Sequence, residues 1–120
     1  MNKNFRVPDY LDHMIEAIAR ISTYVQGMDW PTFSANRLAQ DATIRNLEII
    51  GEAARNVLRL DPKFAERYPD FPLGRAIGMR NSLAHGYIDV KLEIVWETVQ
   101  EDIPDLARKV EDLLSKLRAP

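Results

Sequence analysis

Apolar residues recur at intervals of three and four over most of this 120-residue chain, and strand-like alternation is almost absent. This pattern predicts an all-α protein. The first helix is expected to begin at Pro8, because proline is favoured in the opening turn, and to end at Gly27. Its apolar stripe consists of Leu11, Met14, Ile15, Ile18, Ile21 and Val25.

The second predicted helix is long and runs from about Ala35 to Leu60, with Thr32 or Ser34 as its candidate N-cap. Its expected buried side consists of Leu38, Ala42, Leu47, Ile50, Ala54, Val57 and Leu58. Gly51 lies in the middle of this helix, where glycine costs about 1 kcal/mol relative to alanine. A glycine at this position indicates that another helix approaches closely.

The polar side of the long helix carries alternating charges at helical spacing, from Arg45, Glu48, Glu52 and Arg55. One interpretation is a solvated face with ion pairs between neighbouring turns. The other is a polar face turned towards a partner subunit. The sequence leaves both interpretations open.

The rest of the chain predicts a short helical turn over 62–68, a helix over 73–85 and a final amphipathic segment over 95–117. Pro104 lies within that final segment, so either the helix kinks there or two helices meet. Four main helices with short connections predict an antiparallel bundle of four to five helices. The length fits a single domain over residues 1–120.

Composition narrows the possible chemistry. The chain has no cysteine, which excludes thiolate metal sites, and only two histidines, which disfavours a histidine-rich one. We therefore expect no metal and no cofactor, although Glu48, Glu52 and Asp102 leave a carboxylate site open. Sixteen basic residues against eighteen acidic ones leave a net charge of -2, so any contact with nucleic acid must be local. Neither a secretory signal nor an apolar run of about 20 residues is present, which predicts a cytoplasmic protein without a membrane anchor.

One segment departs from the acidic balance. Between Pro72 and Ile88 the chain carries Arg75, Arg80 and His85 but no acidic residue. On a helix Asn81 and His85 are neighbours four residues apart, so the Asn81 amide can hydrogen-bond the imidazole and select its tautomer.

An arginine near a titratable histidine is a minimal metal-free combination for cleaving RNA. His85 can exchange a proton near neutral pH, and Arg80 can neutralise charge that accumulates on a phosphoryl group. The RNA 2′-hydroxyl would be the internal nucleophile. However, a separation of five residues places the two side chains roughly 140° apart on a helix. The spacing also occurs by chance, and His85 could merely cap helix carbonyls.

The run Arg80-Asn81-x-x-Ala84-His85-x-Tyr87 resembles the Arg-x4-His-x-Tyr signature of the HepT toxins, members of the HEPN superfamily of small helical RNases and nucleotide-binding domains. Two further segments support the resemblance. Residues 47–54 are similar to the second helix of that family, and residues 95–104 are similar to its final helix, including the internal proline. The three segments occur in the right order and cover most of the chain.

The resemblance implies a HEPN-like helical homodimer in which Arg80 and His85 of both subunits meet across a cleft at the interface. It also implies the toxin of a type II-like toxin–antitoxin system, acting as a metal-independent endoribonuclease. The antitoxin would be a minimal nucleotidyltransferase that adenylylates the motif tyrosine, which is Tyr87 here.

In this interpretation His85 is the general acid or base, and Arg80 binds phosphate and stabilises the transition state. Asn81 orients the histidine and Arg75 binds the substrate backbone. The alternative is a non-catalytic helical protein that binds a nucleotide or the nucleotidyltransferase, because the same Arg80 and His85 could simply hold a phosphate.

Overall fold

The computed structural model describes residues 4–85 and 90–119, apart from the side chains of residues 84 and 85. Over these ranges the chain is helical and has no β-strand, which confirms the all-α prediction. The helices are α1 Val7–Val25, α2 Trp30–Ser34, α3 Arg37–Leu60, α4 Phe64–Arg67, α5 Leu73–His85, α6 Leu92–Glu97 and α7 Ile103–Arg118. A π-helical turn, Thr98–Asp102, joins α6 directly to α7.

Four long stretches, α1, α3, α5 and the joined α6–α7, form the predicted helical bundle. Helix α3 lies at its centre, with α1 packed along one side and α5 along another, while α7 packs against α1. The apolar stripes of these helices meet in one core whose fully buried members include Leu11, Met14, Ile21, Leu47, Ile50, Val57 and Val110. No helix of the described ranges is long and apolar enough to cross a membrane.

The start of α3 differs from the prediction. Thr32 and Ser34 lie inside the additional short helix α2, and the N-cap of α3 is Asn36, whose side-chain oxygen accepts a hydrogen bond from the Ala39 N–H at 2.9 Å. Helix α2 forms because Asp29 caps it, accepting from the Thr32 N–H at 2.9 Å. The N-caps Asp29 and Asn36, seven residues apart, therefore begin two separate helices, where the sequence predicted a turn followed by one helix.

The buried side of α3 also needs a correction, because Leu38 is 79% exposed and Leu58 is 38% exposed. Leu38 precedes Ile50 by twelve residues, which places it about 120° around the helix axis from the centre of the buried face. The remaining predicted positions from Leu47 to Val57 lie in or against the core.

The π-helical turn accounts for the proline in the last segment. Pro104 has no N–H to donate to the Gln100 carbonyl, and in an α-helix its ring would crowd that group. The wider turn over Thr98–Asp102 lies immediately before Pro104 and relieves the conflict. The final segment is therefore two α-helices joined without a break in the helical chain.

Candidate functional site

Helix α5 carries Arg80. An unusually close contact between α5 and α3 determines the position of this helix. Gly51 of α3 is buried, and a Cβ atom added there would overlap the Cβ of Arg80 and lie 2.8 Å from the Ala76 carbonyl oxygen. This confirms the close helix approach predicted from Gly51. The base of the Arg80 side chain is consequently pressed against the backbone of α3.

Beyond this contact the Arg80 side chain lines an open depression of about 540 Å³ between α3 and α5. We call it the arginine hollow; its lining residues are Glu52, Arg55, Asn56, Leu58, Arg59 and Arg80. Arg59 donates from Nη2 to Oδ1 of Asn56 at 2.7 Å. Among the described lining residues, three guanidinium groups thus share one surface with a single carboxylate.

The three arginines of the hollow are not neutralised by ion pairs within the described part of the chain. The ion pairs found there involve Lys109 and five other arginines, namely Arg37, Arg67, Arg75, Arg108 and Arg118. Because a guanidinium group is charged at every physiological pH, the hollow is a local positive region on a chain with net negative charge.

This arrangement bears on the two interpretations of the charged face of α3. Arg45, Glu52 and Arg55 are exposed and Glu48 is partly exposed, so this face is solvated in the single chain, as the first interpretation expected. Across residues 4–85 and 90–119 the ion pairs that it also expected are not formed, and the interpretation of a partner face stays open. Sequence spacing favoured pairs such as Glu52 with Arg55 and did not identify Arg55 or Arg59 as neighbours of Arg80. Only the seating of α5 at Gly51 brings them together.

Asn81 follows Arg80 on the exposed side of α5. Its side-chain oxygen accepts a long hydrogen bond from Arg80 Nη1 at 3.5 Å. His85 is the last residue of α5, as predicted. The His85 side chain and Tyr87 lie outside the described residues, so the proposed pairing of Asn81 with the imidazole stays a prediction.

Arg75 lies on a different flank of α5 from Arg80. It donates from Nη2 to Oδ1 of Asp102 in the π-helical turn at 3.3 Å, with side-chain exposures of 76% and 45%. Five residues separate Arg75 from Arg80, which corresponds to about 140° around a helix. One chain therefore brings Arg80 together with the α3 arginines and places Arg75 on another flank.

The flank of α5 that carries Arg75 borders a cavity of about 270 Å³ between α5 and the joined α6–α7. Its walls are mainly apolar, and they include Leu47, Ala76, Met79, Leu83, Val95 and Ile103. Helix α5 thus packs tightly against α3 and loosely towards α6 and α7.

Comparison with known proteins adds an independent line of evidence. The model of a family described as "Ribonuclease HepT-like" matches residues 14–113. The chain is 38% identical over 105 residues to "Probable ribonuclease HepT" of Thermococcus cleftensis, covering 88% of this chain and 93% of that protein.

Two other relatives carry provisional RNase names. One, from Caldanaerobacter subterraneus, is 35% identical over 107 residues, which cover 89% of this chain and 93% of that protein. The other, from Methanocaldococcus jannaschii, is 32% identical over 105 residues, which cover 88% of this chain and 94% of that protein. No solved structure gives a significant match.

Proposed function

Because this chain belongs to the HepT-like ribonuclease family, we propose that it is the toxin of a type II-like toxin–antitoxin pair and acts as a metal-independent endoribonuclease. The observation that carries the proposal is Arg80 in the arginine hollow. The base of its side chain packs against Gly51, and its guanidinium group forms no ion pair with a carboxylate of the described residues. Such a guanidinium is free to bind a phosphate.

In the proposed reaction the RNA 2′-oxygen attacks the adjacent phosphorus and the bond to the 5′-oxygen of the next nucleotide breaks. The products are a 2′,3′-cyclic phosphate and a free 5′-hydroxyl. His85 either removes the proton from the 2′-oxygen or supplies one to the leaving 5′-oxygen, and solvent water exchanges the other proton. Arg80 holds the non-bridging phosphate oxygens, whose negative charge grows as the bonds exchange. Asn81 orients the imidazole of His85.

A homodimer would complete this site. Arg80 and His85 are five residues apart on one helix, so their side chains diverge by about 140° within a chain. Two copies related by a two-fold axis would place the arginine of one subunit near the histidine of the other. The dimer would also double the positive charge facing the substrate.

We propose that regulation acts through Tyr87. A minimal nucleotidyltransferase antitoxin would transfer adenylyl groups to the Tyr87 hydroxyl. Each added phosphate would bring negative charge close to His85 and repel RNA from the cleft. Mass spectrometry after co-expression with the antitoxin is expected to find AMP on the wild-type protein and none on Tyr87→Phe.

RNA cleavage by the purified protein in the presence of EDTA tests the proposed reaction. We expect the wild-type protein to cut RNA, and His85→Ala and Arg80→Ala to lose most of that activity. Arg108→Ala is the matched control, because Arg108 is an exposed arginine paired with Asp105 on α7, at 2.8 Å. Activity that survives in either site variant would overturn the assigned roles.

A wild-type protein that binds ATP or the antitoxin but cleaves no RNA would instead identify a non-catalytic nucleotide-binding or nucleotidyltransferase-partner protein. Titration with ATP, monitored by calorimetry, distinguishes this outcome from an inactive preparation, because an unfolded protein would bind neither ligand.

A further inference from the structure

We propose that Arg55 and Arg59 of α3 extend the phosphate site of Arg80 into a track for the RNA backbone. The inference rests on the proposed function, since it assigns to the same site the residues that hold the strand beyond the scissile phosphate. Neither α3 arginine belongs to the Arg-x4-His-x-Tyr motif. They are binding residues rather than catalytic ones.

The spacing of the three arginines supports a track. Arg80 is seated at Gly51, and Arg55 and Arg59 follow Gly51 by four and eight residues on α3. At 1.5 Å per residue these positions succeed one another at intervals of about 6 Å along one side of the helix. The three side chains therefore leave the backbone in a row, an arrangement that suits the successive phosphates of one strand.

The charge of the arginine hollow points to a polyanion. Among its described lining residues Glu52 is the only acidic one, so the three arginines exceed the carboxylate by two charges there. Like charges on neighbouring turns of a helix destabilise it slightly, and a protein with a net charge of -2 has carboxylates available to neutralise them. An uncompensated basic row on an acidic protein is typical of a surface that binds nucleic acid phosphates.

The contacts within the hollow leave donors available. Arg59 donates from Nη2 to Asn56, which holds the guanidinium at the surface, and its other N–H groups form no hydrogen bond to a side chain of the described residues. Arg55 is exposed and forms no ion pair within the described ranges. An arginine fork with free N–H groups matches the geometry of phosphate oxygens.

Binding of a fluorescein-labelled single-stranded RNA to His85→Ala protein tests the track without cleavage of the probe. The double variant Arg55→Gln/Arg59→Gln is compared with Arg37→Gln/Arg108→Gln. The second pair makes the same change in net charge but removes arginines already paired with Asp41 and Asp105. Fluorescence anisotropy is measured over a series of salt concentrations.

Loss of two phosphate contacts is expected to reduce the slope of log K against log salt by about 1.4, because each contact with a single strand contributes about 0.7. Affinity should fall to a similar extent for RNAs of different sequence. The control pair should leave the slope unchanged. In protein that retains His85, the α3 double variant should raise KM and leave kcat unchanged.

Three results would overturn the track. An unaltered slope in the α3 double variant would show that neither arginine contacts RNA. Dissociation of a dimer in that variant, detected by light scattering, would assign the face to the partner subunit. Equal weakening of ATP and RNA binding, with ATP displacing the RNA, would indicate a mononucleotide site. A fourth result separates the two proposals. If the salt slope depends on Arg55 and Arg59 but the protein never cleaves RNA, the track is retained and the proposed nuclease activity is rejected.

Discussion

Gly51 lies directly beneath Arg80, so closely that a methyl group at position 51 would overlap the Arg80 Cβ. The contact links the centre of the bundle to the proposed site, because it determines how near α5 sits to α3. It also creates the arginine hollow, since Arg55 and Arg59 become neighbours of Arg80 only at this separation.

Substitution Gly51→Ala is therefore expected to destabilise the fold and impair RNA cleavage together. The new methyl must displace the Arg80 Cβ and the Ala76 carbonyl, and overpacking of this kind costs about 1–3 kcal/mol. Displacement of α5 would also move Arg80 away from the phosphate. Urea unfolding and initial cleavage rates measure the two effects.

Gly78→Ala provides the matched control for that experiment. Gly78 is a helical glycine on α5, and an added Cβ would meet no atom of another described element within 4 Å, so alanine there should stabilise the protein by up to about 1 kcal/mol. Equal stability of the Gly51→Ala and Gly78→Ala variants would contradict the steric role of Gly51.

The ion pair between Arg75 and Asp102 allows a separate test of Arg75. Both side chains are substantially exposed, so breaking the pair should change the free energy of unfolding by less than about 1 kcal/mol. If Arg75 binds RNA, Arg75→Gln should raise KM, whereas Asp102→Asn should lower it by releasing the guanidinium. Steady-state kinetics decide: an unchanged KM in both variants would remove Arg75 from the substrate-binding surface.

The N-cap of α3 makes a prediction about stability alone. Asn36→Ala removes the acceptor for the Ala39 N–H and should cost about 1 kcal/mol, which Asn36→Asp should largely avoid. Ser34→Ala is expected to have a smaller effect, because the Ser34 hydroxyl donates to the Pro31 carbonyl and caps no N–H group. Urea denaturation would refute the assignment if Ser34→Ala proved the more damaging change.

Asp29 makes the stability of the short helix α2 dependent on pH. Hydrogen bonds from the Thr32 hydroxyl and the Thr32 N–H hold the pKa of Asp29 below its ordinary value of 3.8. A lowered folded-state pKa means that the stabilisation is complete above that ordinary value and disappears as the pH falls through the folded-state value.

Replacement of Asp29 by Asn should consequently leave the free energy of unfolding near neutral pH almost unchanged. In acid, the variant should lose less stability than the wild-type protein. Part of the acid-induced loss should remain in the variant, because Lys109 and Arg108 lower the pKa of Asp105, and this second carboxylate also loses its stabilising contacts in acid. Thermal unfolding from pH 7 down to about pH 2 measures the difference, because the loss lies below the ordinary pKa of aspartate; parallel curves for the two proteins would contradict the role of Asp29.

Periodicity predicted the main helices because their boundaries depend on local signals. Pro8 lies in the first turn of α1, and Gly27, with a positive φ of 73°, follows its end. The helix over residues 73–85 was predicted with the bounds that the structure has. The divided start of α3 was missed because the chain offers four candidate caps in eight residues, and local chemistry alone does not rank them.

The candidate site was only partly predictable for a different reason. The motif could be found in the sequence, and Gly51 predicted a close contact with another helix. No local signal, however, identifies Arg80 as the residue that contacts Gly51. The proximity of Arg55 and Arg59 to Arg80 depends on how two helices meet. The same holds for the separation of Arg75 from Arg80, because Asp102 lies on a distant segment that only the fold brings near.

The π-helical turn Thr98–Asp102 also restricts where residues can be inserted or deleted in this fold. One residue fewer would allow the segment to close as a regular α-helix, because a π-helical turn holds one more residue than an α-helical turn. Deleting Gln100 would therefore return Pro104 to a regular α-helical turn, in which its ring crowds the carbonyl group four residues earlier. Insertions and deletions that separate family members should avoid these five positions and accumulate in the connections between helices.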